Sequence, residues 1–320
     1  MPRCLSRTLA LIIGVGLVAA GCARQPAGED AADFSDRKMR VVATTNIIGD
    51  LVRQVAGDRV ALTTLMGPGV DPHLYKASEG DVQRMAEADV VLYNGLDLEG
   101  KMTEVFAQMA RRQITTAPLA DAAVPDSLLI PSADYAGNYD PHVWFDVELW
   151  GRVAQHVGEV LAEKDTARAA WYRSNARAYA QRLDSLDRYM MAEAQRVPAE
   201  QRVLITSHDA FSYLGRAYDI EVRGLQGIST TSEAGAGDVQ SLADFVVERR
   251  IPAIFVETSV SPRGIQAVRE AVRAKGFEVQ IGGTLYGDAL SNVGTPEGTY
   301  VGAARHNIDT IVQGLLREPT

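Results

Sequence analysis

The chain has 320 residues, 46% of them hydrophobic and 23% charged, with a formal net charge of −9. That length suits two domains of ordinary size, and the composition excludes wholesale disorder. The acidic balance argues against nucleic acid, whose phosphates call for a basic face, and is compatible with capture of a cation.

Arg3 and Arg7 form a short basic region, and residues 9–20 are an uncharged apolar run, too short for a comfortable membrane span. The run ends Ala19-Ala20-Gly21-Cys22. It resembles a bacterial lipoprotein signal (residues 1–22), with cleavage before Cys22 and a lipid on its sulfur; a plain secretory signal is the alternative. Cys4, the only other cysteine, leaves with such a signal. The mature chain then has no disulfide and no thiolate, so any metal site must use nitrogen and oxygen. Residues 23–38 read as a flexible tether.

Residues 39–45 are rich in β-formers and are followed by a helical pattern through Ile47, Leu51, Val52 and Val55. Residues 60–66 are a second strand candidate, stopped by the turn signal Gly67-Pro68-Gly69. A loop, Val70-Asp71-Pro72-His73, precedes a helix over 79–88 that the Ser78 hydroxyl can cap. Residues 90–93 read as strand, 100–112 as helix and 113–116 as strand. The alternation predicts a parallel sheet with helices on its faces over 39–158. Residues 117–138 read as a proline-containing loop without histidine, and Asp140-Pro141-His142 then echoes Asp71-Pro72-His73.

The stretch 159–197 contains no glycine or proline and is closed off by Gly158 and Pro198. Tyr172, Ala176, Tyr179, Leu183, Leu186, Met190, Ala194 and Val197 recur at three- and four-residue steps, which puts one apolar stripe on a helix. About 30 helical residues span on the order of 45 Å, enough for a strut joining two lobes; an ordinary long helix inside one domain is the alternative. Alternation resumes over 198–320. Strands are expected at 202–206, 221–225, 253–257 and 278–281, and helices near 211–214, 238–250, 262–275 and 296–316. The predicted fold is α/β, two parallel-sheet lobes with helices on both faces joined by one long rigid helix.

Of five histidines, His73, His142 and His208 follow strand candidates or sit in loops, where the carboxyl ends of strands line a ligand crevice. Prolines before His73 and His142 stiffen the backbone there. Asp288 lies in the Gly-rich stretch after the 278–281 strand. Two donors from each lobe would hold a metal in the cleft between them. His156 and His306 fall inside helices and read as solvated or core-edge residues.

His73 in "VDPHLYKASEGDV", His142 in "YDPHVWFDV", His208 in "ITSHDAFSYLG", the segment "GLQGISTTSEAGAGDVQSLADFV" and Asp288 in "GGTLYGDALS" together resemble the metal-binding lipoproteins of ABC importers, the zinc and manganese solute-binding proteins. The resemblance runs from about residue 39 to 316. It implies two α/β lobes joined by a rigid helix and four ligands, His73, His142, His208 and Asp288. It also implies delivery of the ion to a membrane permease and anchoring through lipid at Cys22; a monomer is expected, and the acidic balance already speaks against nucleic acid. A histidine at the position of His208 is typical of zinc binders and of members taking several metals. Asp288 fits manganese and mixed-metal members. The histidine-free loop 117–138 departs from the His-rich loop of dedicated zinc importers.

Three imidazoles and a carboxylate suit Zn²⁺, Mn²⁺ or Fe²⁺, and raw affinity favours zinc over manganese. They leave a dication one positive charge in excess, so nearby acids are expected to help. Glu257, ending a central strand, is the candidate to hold a ligating histidine by its other N–H. Protons compete for imidazole, so affinity should fall below about pH 6. A stiff strut predicts small local changes on binding rather than wide closure. One rival reading is a metallohydrolase. It would need an open coordination position and a nearby base, and the chain has no Gly-x-Ser-x-Gly or His-Glu-x-x-His. A binder of a siderophore or corrinoid would need an open cleft lined by aromatics and arginines. An adhesin role on the same fold stays open.

Overall fold

A computed structural model of the chain describes residues 34–132, 135 and 138–317. The expected signal, Cys22 and most of the tether lie outside these residues. The first lobe opens with β1 (Met39–Ala43), α1 (Asn46–Ala56) and β2 (Val60–Thr64). It continues with α2 (Glu79–Ala86), β3 (Val90–Tyr93), α3 (Thr103–Arg111) and β4 (Thr115–Pro118). Its sheet is parallel in the order β2-β1-β3-β4. Ser78 caps α2 as expected, in a reciprocal pairing with Asp81.

Successive side chains of a strand point to opposite faces, and the two faces of this sheet feed two cores. Val41, Ala43, Val90 and Leu92 join one with Ile48, Leu51 and Val52 of α1. Val42 and Val91 join the other with Met85, Phe106 and Met109. The stretch 117–138 is less of a loop than its prolines suggested. It completes β4 and forms α4 (Leu119–Ala123), five residues too short to show a helical period.

α5 (Val147–Lys164) and α6 (Ala169–Ala194) then pack along one another. The long helix is therefore α6 alone, 26 residues, about 39 Å at 1.5 Å per residue. Residues 159–164 belong to α5. Gly158 is not a stop signal but a contact point: a Cβ there would lie 2.7 Å from the Ala176 Cβ and 3.3 Å from the Tyr172 carbonyl. Glycine and alanine at facing positions let the two backbones approach. The stripe from Tyr172 to Ala194 is buried as its spacing demands.

The second lobe holds β5 (Val203–His208), α7 (Ser212–Tyr218), β6 (Glu221–Gln226) and α8 (Ala236–Glu248). After them come β7 (Ala253–Glu257), α9 (Arg263–Ala274), β8 (Gln280–Leu285) and α10 (Tyr300–Leu315). β5 pairs in parallel with β6, and β7 with β8, while β5 lies beside β7. The spatial order β6-β5-β7-β8 thus repeats that of the first lobe. β8 continues past Gly282 and Gly283, which the sequence presents as breakers, with a shift in its register against β7 that leaves Gly282 unpaired between Ile281 and Gly283. A Cβ at 282 would strike the Phe255 ring, and Gly283 adopts φ 155° against Thr310; both glycines serve close approach. The apolar core is continuous from β1 and α1 through α5 and α6 to α7 and α10. Trp150 of α5 packs on Tyr300 of α10 with ring centroids 5.6 Å apart.

Candidate metal site

The strand order in each lobe puts its crevice at the carboxyl ends of the strands, and the four expected side chains converge there. His208 is the last residue of β5, and Asp288 sits in the loop after β8. His73 and His142 come from the two Asp-Pro-His loops. In both loops the aspartate folds back on the histidine: Asp71 Oδ1 accepts the His73 backbone N–H at 2.8 Å, and Asp140 Oδ1 that of His142 at 2.9 Å. This is the local hydrogen bond that makes aspartate a turn former, and the intervening proline fixes φ.

One donor atom from each of the four side chains lies within 4.8 Å of every other. His73 Nε2 and His142 Nε2 are 3.3 Å apart. Asp288 Oδ1 is 3.5 Å from His142 Nε2, and Oδ2 is 3.3 Å from His208 Nε2 and 4.0 Å from His73 Nε2. Two donors held about 2.1 Å from one tetrahedral ion stand roughly 3.4 Å apart, so the spacing fits a transition-metal ion. All four residues are buried, none more than 4% exposed. Apart from the three imidazoles, His208 foremost, no donor reaches either Asp288 oxygen. A buried carboxylate so short of donors is costly unless a cation meets it.

Two further carboxylates hold the imidazoles from behind. Glu257 Oε2 lies 2.8 Å from His208 Nδ1, and its Oε1 accepts the His208 backbone N–H at 3.0 Å. Asp140 Oδ1 lies 2.7 Å from His142 Nδ1. A carboxylate at Nδ1 keeps the proton there and turns the Nε2 lone pair inward. Asp288, Glu257 and Asp140 together bring three negative charges around the cluster. The sequence pointed to Glu257 but not to Asp140, whose signal was in plain sight as the first residue of its Asp-Pro-His. Gly287 lies so close to Glu257 that a Cβ would sit 2.5 Å from Oε2, so glycine lets the Asp288 loop lie flush against that carboxylate.

Burial pushes the His73 imidazole down to about 3, against the pull of Asp288. At His208 burial acts the same way but is outweighed by Glu257 and Asp288, which hold the imidazole well above its ordinary value. Burial would raise Asp288, but the three imidazoles, His208 foremost, keep it below the usual carboxylate range. The bare cluster therefore keeps a proton on His208 and none on His73. His156 and His306 lie outside the cluster, the latter half-buried with Nε2 2.9 Å from the Thr284 carbonyl.

The sequence matches the family model for ZnuA, the zinc-uptake complex component A periplasmic, over residues 41–314. It is 46% identical to the zinc-binding protein TroA of Treponema pallidum over 311 residues, 97% of this chain and 99% of the relative. It is 43% identical to the manganese-binding lipoprotein MntA of Bacillus subtilis over 307 residues, 96% of this chain and 98% of the relative. The fold superposes on the solved periplasmic zinc-binding protein TroA of Treponema pallidum with a TM-score of 0.84 at 49% identity, covering 88% of this chain and all of that one. On a family model spanning most of its length and relatives this similar along nearly all of it, the chain belongs to the zinc-uptake complex component A family of metal ABC-importer binding proteins.

Proposed function

We propose that this chain is an extracytoplasmic solute-binding protein that captures one divalent transition-metal ion, Zn²⁺ or Mn²⁺, on His73, His142, His208 and Asp288 and delivers it to an ABC permease. The observation that carries this reading is the convergence of three imidazole nitrogens and a buried carboxylate within 4.8 Å, the carboxylate meeting no donor but those imidazoles. Relatives bear the names zinc-binding protein, manganese-binding lipoprotein and metal ABC transporter substrate-binding lipoprotein. Those names support a lipid-anchored carrier, consistent with Cys22 in its small-residue context, and they are names of binding proteins rather than enzymes. Four protein donors also leave little room for the bound water a catalytic zinc needs. The ion is the cargo, and the protein's part is to hold three neutral imidazoles and one carboxylate at bonding distance from a common point. The donor set accepts either metal. Metal analysis of protein purified from its own host, paired with Zn²⁺ and Mn²⁺ titrations, tests the reading: one ion per chain is expected, and a chain that binds neither ion overturns it.

The protonation pattern fixes a pH dependence. An imidazole whose pKa is raised in the folded chain still holds its proton above pH 6.5, and a metal must displace it. His73 has none to lose, since it titrates near 3. Affinity is therefore expected to go on rising with pH beyond 6.5 rather than levelling off near 6. At pH 6–7 at least one proton should be released per ion, measurable by calorimetry in buffers of different ionisation enthalpy. Flat affinity with no proton release would contradict this.

Glu257 has a separate test. Glu257→Gln keeps the shape but removes the charge facing His208 Nδ1 at 2.8 Å. Loss of such an outer partner typically costs 10–100-fold in metal affinity. A competition titration with a chromophoric chelator should find that loss, and wild-type affinity would leave Glu257 without this role.

A further inference from the structure

Asp288 belongs in sequence to the second lobe, yet the loop that carries it is tied on both sides to the first. Apart from the imidazoles it faces, no donor reaches its carboxylate, so the backbone around it has to set its place. Two residues on, the peptide groups of Leu290 are gripped by one side chain. Asn46 Nδ2 donates to the Leu290 carbonyl at 2.8 Å, and the Leu290 N–H donates to Asn46 Oδ1 at 2.9 Å. Asn46 opens α1 of the first lobe and is buried. One residue before Asp288, the Gly287 carbonyl accepts from Trp144 Nε1 at 3.2 Å. Trp144 is two residues past His142, packs edge-on against its imidazole at 5.2 Å, and accepts the Tyr300 hydroxyl on its carbonyl at 2.6 Å. From the second lobe, Asn307 grips Tyr286, where the loop leaves β8, with bonds of 2.9 and 2.8 Å, but between there and Leu290 that lobe offers only a long contact, 3.5 Å from the Asp288 N–H to Ser259 Oγ.

The geometry points to Asn46, with Trp144, as the positioning residues that hold Asp288 on the ion and thereby set the balance between manganese and zinc. The inference rests on the reading of the four side chains as ligands. Its chemistry is that of the donors. Three imidazoles and a water satisfy tetrahedral Zn²⁺, whereas Mn²⁺ is harder and depends more on carboxylate oxygen. Slackening the Asp288 loop removes the carboxylate from its fixed place and leaves the two loop histidines alone. It therefore costs Mn²⁺ more than Zn²⁺.

The test is the ratio of Mn²⁺ to Zn²⁺ affinity in Asn46→Ala and in Trp144→Phe, which keeps an aromatic ring but loses the indole N–H. Asp50→Ala is the control. It removes another bond between lobes, the 2.9 Å contact of Asp50 Oδ2 with the Tyr300 N–H, without touching the Asp288 loop. Asn46→Ala and Trp144→Phe are expected to weaken Mn²⁺ binding about 10-fold or more, the scale of an outer-partner loss, with a smaller effect on Zn²⁺. Asp50→Ala lowers the melting temperature and leaves the ratio unchanged. Asp288→Ala shifts the ratio the same way and further. If Asp288→Ala shifts it while Asn46→Ala and Trp144→Phe match the Asp50→Ala control, the positioning role is overturned and the ligand set stands. If the wild-type chain binds neither ion, the ligand set itself has failed.

Discussion

Replacing His208 by alanine is expected to weaken binding of either Zn²⁺ or Mn²⁺ by more than the 10–100-fold that loss of an outer partner costs. The substitution removes a donor outright. It also strips Glu257 and Asp288 of the group between them: Glu257 Oε2 lies 2.8 Å from Nδ1 and Asp288 Oδ2 3.3 Å from Nε2. In the metal-free chain that imidazole carries the proton that balances two fully buried carboxylates. Breaking a buried ion pair by removing one partner costs about 3–5 kcal/mol, so the metal-free variant should also melt lower than the metal-free wild type. Equilibrium dialysis with elemental analysis reads the first effect and calorimetry the second. Unchanged metal content in the variant would remove His208 from the site.

The second large effect concerns the body of the protein. Trp150→Ala should cost about 3–5 kcal/mol, the usual range for emptying a buried aromatic site. In a chain of this size that lowers the melting temperature by about 5–8 °C. Trp150 is 1% exposed, belongs to the apolar core that runs through both lobes, and packs at a tilt against Tyr300 at the start of α10. Because that core is continuous, wild type and variant should each unfold in a single cooperative transition. Two resolved transitions would mean that the lobes are stabilised independently. The same continuity bears on how the site operates. Hydrogen bonds from Asn46 to Leu290, from the Tyr300 N–H to Asp50, from Trp144 to Gly287 and from Tyr213 to Asp140 tie the lobes together. Together with a stiff linking helix they predict small local adjustments on binding rather than wide closure.

The four clustered side chains were legible because each is announced locally. Two carry the Asp-Pro signature in front of them, one ends a strand, and one follows a strand in a Gly-rich stretch. The stripe on α6 was legible for the same reason, since helical spacing is a property of the sequence itself. What escaped was whatever depends on contacts far along the chain. Asn46 meets Leu290 across 244 positions, and nothing near either residue advertises it. Glycine misled twice because its usual meaning is a break. At Gly158 it admits the facing helix, and at Gly282 and Gly283 it lets β8 run against Phe255 and α10. α4 was hidden among prolines because five residues hold too little of a helical period to be seen.

The measurement closest to the central claim is a crystal structure of the metal-loaded protein, with anomalous diffraction recorded on either side of the absorption edge of the bound metal. The expected result is one peak per chain, about 2.0–2.2 Å from His73 Nε2, His142 Nε2, His208 Nε2 and an Asp288 oxygen. A peak bonded elsewhere, or one that leaves any of these four side chains uncoordinated, would contradict it.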